Sequence, residues 1–306
     1  MHEEPDTIEE CIEKFRKDLT KRTTEYTPRT VRHYVDHSRI VFRLLHTEYP
    51  GLLPSQVKAK HVQWLVSEMI SRKYAVSTEK HYVQALRKIC PFYGNNAVGK
   101  MKIRWPHDSR PNADWLTLEQ AMILLSAPKS PTQELLVHLE LCLGFRRVEC
   151  ARLTIQSITD RYLDISGKGS MGGKPRRVPF HRDTQRVINR YLKYREELIE
   201  RAQSRRRRPI NVPDELMITQ NIQPFETDRC TGLDYHMNKL VEMFDFDFGN
   251  HTLRRTFGRL MYKANKPNVP ISVISMYLGH SSESETIKYL GLDFDDMQSA
   301  IVLFPL

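Results

Sequence analysis

Apolar residues recur at helical spacing from the beginning of the chain. Ile8, Cys11, Ile12, Phe15 and Leu19 fall on one face of a 3.6-residue period, which predicts an amphipathic first helix. Thr27 followed by Pro28 reads as an N-cap with proline at the first helical position. It opens a second helix that runs to about His46, with Val31, Tyr34, Val35 and Val41 on its apolar stripe. Residues 61–72 and 77–93 predict two more helices, the latter opened by a Ser/Thr cap and stopped at Pro91. Periodicity is then lost over residues 98–114, which contain two prolines. The expected organisation is a helical domain over residues 1–98, a linker over 99–114 and a second domain over 115–306.

The second domain opens on a capped helix in LTLEQAMILLSA and continues into the strongly apolar ELLVHLELCLGF. Residues 161–180 change character, with two short β-prone runs flanking a Gly- and Lys-rich turn, and predict a small hairpin. Helical patterns return from about residue 182 and continue to the end. The expected fold is mainly α with one small β-sheet or hairpin. Arg205 to Arg208, ahead of Pro209, read as a solvated loop, and no internal repeat is present.

Composition narrows the class. Hydrophobic residues make up 40% of 306, enough for packed cores, and the length suits about two domains. No apolar run approaches the roughly 20 residues of a membrane span. The opening MHEEPDTIEE is acidic, lacks an apolar h-region and does not read as a signal peptide. Five scattered cysteines (Cys11, Cys90, Cys142, Cys150, Cys230) form no CxxC pair, which fits a reducing cytoplasm better than a disulfide scaffold. The net charge of +10 is concentrated: residues 19–110 hold 17 basic and 6 acidic side chains, while residues 111–306 hold 27 and 24. Such a surplus is the electrostatic footprint expected for a polyanion partner.

Two candidate sites fail on inspection. GKGSMGGKP lacks the phosphate-loop pattern, because Gly173 stands where that loop needs lysine and Pro175 follows Lys174. His33 and His37 lie one helical turn apart, but no Glu or Cys completes a metal set, so no metal site or cofactor is expected.

Four segments of the second domain do carry chemistry. GFRRVECARLT (144–154) is read as a helix delivering Arg146 and, three residues on, Glu149. The hairpin turn offers Lys168, with Lys174 as its rival. HTLRRTFGRLM (251–261) puts His251 and Arg254 on one helical face. YLGHSSESETIKYLGL (277–292) sets His280 nine residues before Tyr289.

In this order the segments resemble the tyrosine recombinases, the class that includes phage integrases and the Xer resolvases. The family pattern is an Arg in G-[LF]-R-x-x-E, a Lys in a β-hairpin turn, H-x-x-R, and L-G-H followed nine residues later by a nucleophilic Tyr. The resemblance spans about residues 115–292, and the basic helical first half matches the family's core-binding domain in type. It implies a two-domain C-shaped DNA clamp that cleaves and rejoins double-stranded DNA through a 3′-phosphotyrosyl intermediate. It also implies a homo-tetramer on paired sites, with the tail 293–306 exchanged between protomers. Within the same chemistry the competing reading is a type IB topoisomerase; from another class, a non-catalytic DNA-binding regulator.

The implied roles are physically reasonable. Breaking a phosphodiester without a metal needs donors for the extra negative charge, and arginine bonds two oxygens at once while staying charged. Arg146 and Arg254 are expected to clamp the nonbridging oxygens, with His251 and His280 adding donors and Glu149 orienting its neighbours. Tyr289 is the expected nucleophile and Lys168 the expected acid for the leaving 5′-oxygen. Lys174, Arg255 and Arg259 are expected at the DNA backbone.

Overall fold

The structure is a computed structural model that describes residues 4–105, 114–166, 175–227, 230–264 and 269–292. The chain divides into two compact units, Met1–Ser109 and Arg110–Leu306.

The first unit is helical: α1 (Ile8–Lys21), α2 (Pro28–Leu45), α3 (Ala59–Ser71), α4 (Val76–Phe92) and the single turn α5 (Ala97–Lys100). Its caps follow the sequence. Thr7 Oγ1 accepts from the Glu10 N–H at 3.3 Å, and Thr27 Oγ1 accepts from the Thr30 N–H at 3.1 Å, with Pro28 at the first helical position. α4 departs from expectation at both ends. It starts on Val76 after Ala75, with no side-chain cap, and it runs through Pro91 to Phe92. So close to a helix end the proline removes one bond only, and Tyr93 and Gly94 close the turn onto the Cys90 and Pro91 carbonyls. Phe15, Phe42, Leu45, Leu65, Leu86 and Ile89 are at most 2% exposed and form this unit's own core. The Tyr93 hydroxyl crosses it to donate to the Cys11 carbonyl at 2.7 Å, tying α4 to α1.

The second unit contains α6 (Leu118–Ser126), α7 (Pro131–Val137), a π-turn over His138–Cys142, α8 (Arg147–Arg152) and the antiparallel strands β1 (Tyr162–Ile165) and β2 (Arg176–Pro179). Long α9 (Arg182–Ser204), α10 (Thr231–Val241), α11 (Asn250–Ala264), α12 (Ile271–Leu278) and α13 (Glu283–Leu290) follow. Thr117 with Gln120 and Ser130 with Gln133 form reciprocal caps at the starts of α6 and α7. The hairpin register pairs Leu163 with Val178 and Ile165 with Arg176, so one face of β2 turns inward with Val178 fully buried. Leu124, Leu135, Leu139, Phe145, Ile188 and Leu253 lie fully buried in the core between these elements. A smaller cluster of Phe257, Ile274, Leu278 and Leu290 joins α11, α12 and α13.

The apolar run ELLVHLELCLGF thus becomes α7 plus a π-turn, a form that marks a local departure from the regular helical ladder. Glu140 sits inside that turn, fully buried, with neither carboxylate oxygen partnered among the described residues. Burial raises its carboxyl well above the usual range. No described helix is long and apolar enough to cross a membrane. Lys168, Lys174 and the tail 293–306 lie outside the described residues.

Candidate active site

Arg146 is not on a helix, as the sequence suggested, but is the residue before α8. Gly144 ends the preceding turn in the left-handed region at φ +65°, and a side chain there would collide with the Phe257 ring. The Arg146 N–H is then captured by Glu149 Oε2 at 2.7 Å, which caps α8 and fixes the arginine at its mouth.

Glu149 is the hub of the site. It is 1% exposed and accepts from Arg146 Nη1 at 3.0 Å and from both Arg176 Nη1 and Nη2, at 2.8 and 2.9 Å. Arg254 Nη1 lies 3.6 Å from its Oε2. Burial alone would raise this carboxyl, yet the Arg176 hydrogen bonds and charge, then Arg254 and the Arg146 N–H, bring it below its ordinary value. One carboxylate therefore faces three guanidiniums, which leaves local positive charge uncompensated.

The same arginines gather at the end of α12. Arg176 Nε donates to the Tyr277 carbonyl at 2.9 Å, Arg254 Nη2 to that of Leu278, and Arg146 Nη2 to that of Gly279 at 3.4 Å. These are the orphan carbonyls of a helix C-terminus, the negative end of its dipole. Gly279 ends α12 in the left-handed region at φ +60°, and a Cβ there would lie 2.9 Å from Arg176 Nη1. The glycine of the L-G-H segment is thus required twice over.

Arg254, 1% exposed, also donates to the Gly144 carbonyl. Burial, reinforced by Arg146, lowers it to about 10, so it stays charged at neutral pH. Its Cζ is 5.8 Å from the Tyr289 ring centre, and the His280 ring packs edge-on against that tyrosine at 5.0 Å. His280 Nδ1 is 2.9 Å from Thr286 Oγ1, and burial with the Arg254 charge lowers the imidazole to about 4, neutral at pH 7. Half-buried Tyr289 donates through its hydroxyl to the His251 carbonyl at 3.4 Å. Burial raises its phenol, against Arg254, Arg255 and Arg146, which pull it down. Arg146, Glu149, Arg254, His280 and Tyr289 are therefore brought together; His251 joins through its backbone while its ring is exposed.

One assignment changes. Arg259, expected at the DNA backbone, is 5% exposed; its guanidinium stacks 4.5 Å over Trp115 and donates to the Leu290 carbonyl at 3.4 Å. It is the inward face of α11 that carries it, where it bridges to α13. Arg255 is half-buried with its guanidinium 5.5 Å from the Tyr289 ring, beside the tyrosine rather than out in solvent. Arg147, next to Arg146, pairs instead with Asp234, which also accepts from Asn250 at 3.0 Å, so it links α8 to α10 and the start of α11.

The residue that sequence reasoning missed is Arg176. The usable signal was strand alternation, since Val178 must point inward and Arg176 shares its face, whereas Arg177 points out to Asp164. Among the described residues no group of three His, Cys, Asp or Glu side chains is placed to hold a metal.

The chain is 26% identical to the tyrosine recombinase XerC of Caldanaerobacter subterraneus subsp. tengcongensis over 195 residues, 63% of this chain and 51% of that one. It spans about half the length of the XerC relatives it matches. Solved structures that share its fold include two bound to DNA. One is the XerH site-specific recombinase bound to palindromic difH substrate, with a TM-score of 0.64, 17% identity and coverage of 89% of this chain and 79% of that one. The other is a lambda integrase tetramer bound to a Holliday junction, with a TM-score of 0.66, 16% identity and coverage of 94% and 79%. The sequence profile of the phage integrase family matches residues 114–295, the stretch holding every group of the arginine and tyrosine cluster, and the chain belongs to that family.

Proposed function

We propose that the chain is a site-specific DNA recombinase that cleaves and rejoins duplex DNA through a 3′-phosphotyrosyl intermediate, without metal or ATP. The observation that carries this reading is the buried Glu149 shared by three guanidiniums beside the Tyr289 phenol, an anion-seeking pocket with a nucleophile at its edge. Arg146 and Arg254 hold the nonbridging oxygens of the scissile phosphate. His280 and His251 add donors. The Tyr289 oxygen attacks phosphorus, its proton passes to water, and the bond from phosphorus to the 5′-oxygen breaks. Lys168 or Lys174 gives that oxygen a proton, leaving a free 5′-hydroxyl. The phosphodiester's energy stays in the phosphotyrosine, so attack by a second strand's 5′-hydroxyl reseals DNA with no external energy source.

The surplus of basic residues over 19–110 supports the first unit and the linker as a DNA-binding segment. Strand exchange by a tetramer on paired sites, with residues 293–306 docked on a neighbouring protomer, completes the reading. It is supported by the fold shared with a recombinase solved on its substrate and an integrase solved as a tetramer on a junction.

Covalent trapping tests it. The protein is incubated in EDTA with nicked and bridging-phosphorothiolate duplexes tiled from its own genomic neighbourhood, beside Tyr289→Phe. A denaturation-resistant adduct that disappears in Tyr289→Phe is the expected result. Tight binding with no adduct on any duplex would favour a DNA-binding regulator. An adduct that survives the substitution would mean another nucleophile, and plasmid relaxation without strand exchange would favour a topoisomerase.

A further inference from the structure

Arg176 is the one guanidinium of the cluster that the proposed chemistry leaves idle. It is also the most completely engaged. Its two terminal nitrogens grip Glu149 in a fork, at 2.8 and 2.9 Å, and its Nε donates to the Tyr277 carbonyl at 2.9 Å. Its side chain is 10% exposed, and its Cζ lies 6.0 Å from the Phe145 ring centre. The close approach to Gly279 leaves no room for a side chain at that position. Each of its three nitrogens commits one N–H inward, which holds the guanidinium against Glu149 and the end of α12 rather than free to swing toward a phosphate.

We propose that Arg176 is a positioning residue for the cleavage reaction: it fastens the Glu149 carboxylate to the C-terminus of α12, and so sets where Arg146, Arg254 and His280 stand. The inference rests on the recombinase reading above. Glu149 orients Arg146 through the backbone N–H and through Nη1, so any rotation of the carboxylate moves that arginine. The carbonyl at Tyr277 immediately precedes the Leu278 and Gly279 carbonyls that receive Arg254 and Arg146. His280 follows directly. A single planar fork thus registers both sides of the phosphate pocket, and only arginine has that geometry. Lysine keeps the charge but can hold one oxygen of Glu149 or the Tyr277 carbonyl, not all three acceptors.

The test compares wild type, Arg176→Lys, Arg176→Met, Glu149→Gln and the Arg176→Lys/Glu149→Gln double variant on the nicked duplex that gives an adduct with wild type. DNA half-saturation, the rate of adduct formation at saturating DNA, and thermal unfolding are read separately. In Arg176→Lys, half-saturation stays within about twofold while the saturated cleavage rate falls by roughly tenfold to a hundredfold, the scale of one or two charge-assisted bonds misplaced. Arg176→Met loses more and also unfolds at lower temperature. In the Glu149→Gln background, Arg176→Lys has little further effect, because the group it acts through is already gone.

A wild-type cleavage rate in folded Arg176→Lys would overturn the proposal. So would parallel loss of binding and cleavage in proportion to lost stability, or full additivity with Glu149→Gln. Absence of any adduct with the wild-type protein is a different failure, that of the recombinase reading itself.

Discussion

Replacing Glu149 by glutamine removes one negative charge from beneath three guanidiniums while keeping the side chain's size. Arg176 loses an ionic partner for both of its terminal nitrogens, Arg146 loses one for Nη1, and Arg254 loses its nearest carboxylate. Removing one member of a buried ion pair costs about 3–5 kcal/mol, because the remaining charges stay desolvated. Glutamine still offers one carbonyl oxygen, so the lower end of that range, about 3 kcal/mol, is expected. For a unit of this size that corresponds to a fall in Tm of roughly 6–12 °C. The carboxyl lies below its ordinary value in the folded state, so its stabilising contribution is present above the unfolded pKa of about 4.3 and is lost as pH falls through the folded value. Urea unfolding followed by circular dichroism at pH 7 and in a series down to pH 3 measures both effects. The two proteins should differ by about 3 kcal/mol at neutral pH and converge in acid. Equal stability at pH 7, or a gap that does not narrow below pH 4, would refute the assignment of Glu149 as the counter-charge of the site.

Other substitutions follow from the packing. Gly258→Ala places a Cβ 2.6 Å from Leu290 Cδ2; overpacking of about 1–3 kcal/mol outweighs a helix-propensity gain of about 1 kcal/mol. Because Leu290 adjoins Tyr289, adduct formation should slow more than DNA binding weakens. Glu140→Met should stabilise the second unit in denaturant titrations, because it removes a buried carboxyl whose oxygens have no partner among the described residues. The folded-state carboxyl is raised, so wild-type stability falls as pH climbs past about 4.3, and the advantage of Glu140→Met should grow over the same interval. Arg147→Ala and Asp234→Ala should each destabilise, and the double variant should lose less than their sum by about 1 kcal/mol or more, because they share one ion pair.

Much of this was readable from residue order, for reasons that are local. A helix start is written in adjacent side chains, as at Thr27–Pro28 and in the Thr117–Gln120 pair, and the structure uses those caps. The clustering of Arg146, Glu149, Arg254, His280 and Tyr289 was legible only through the order and spacing of four short motifs, since parts of four helices (α8, α11, α12 and α13) must meet to form it. Arg176 escaped because its role depends on partners 27 and 101 residues away, and nothing in KPRRV distinguishes it from Arg177 except strand alternation. Arg259 was misread because a cation three turns into a helix of mixed face reads as surface, whereas here a tryptophan ring and a carbonyl receive it. The π-turn was equally hidden: an unbroken apolar run does not say where the ladder gains a residue.

The close approach at Gly258 has a consequence for how this sequence can diverge. At the α11–α13 junction a Cβ at 258 would fall on the Leu290 side chain, so positions 258 and 290 behave as one steric unit divided between two helices. A larger residue at 258 is accommodated at least cost alongside a smaller one at 290, because its Cβ would meet Leu290 Cδ2 at 2.6 Å. Drift at this junction is therefore expected in paired steps, and Leu290→Val should act as a suppressor of Gly258→Ala.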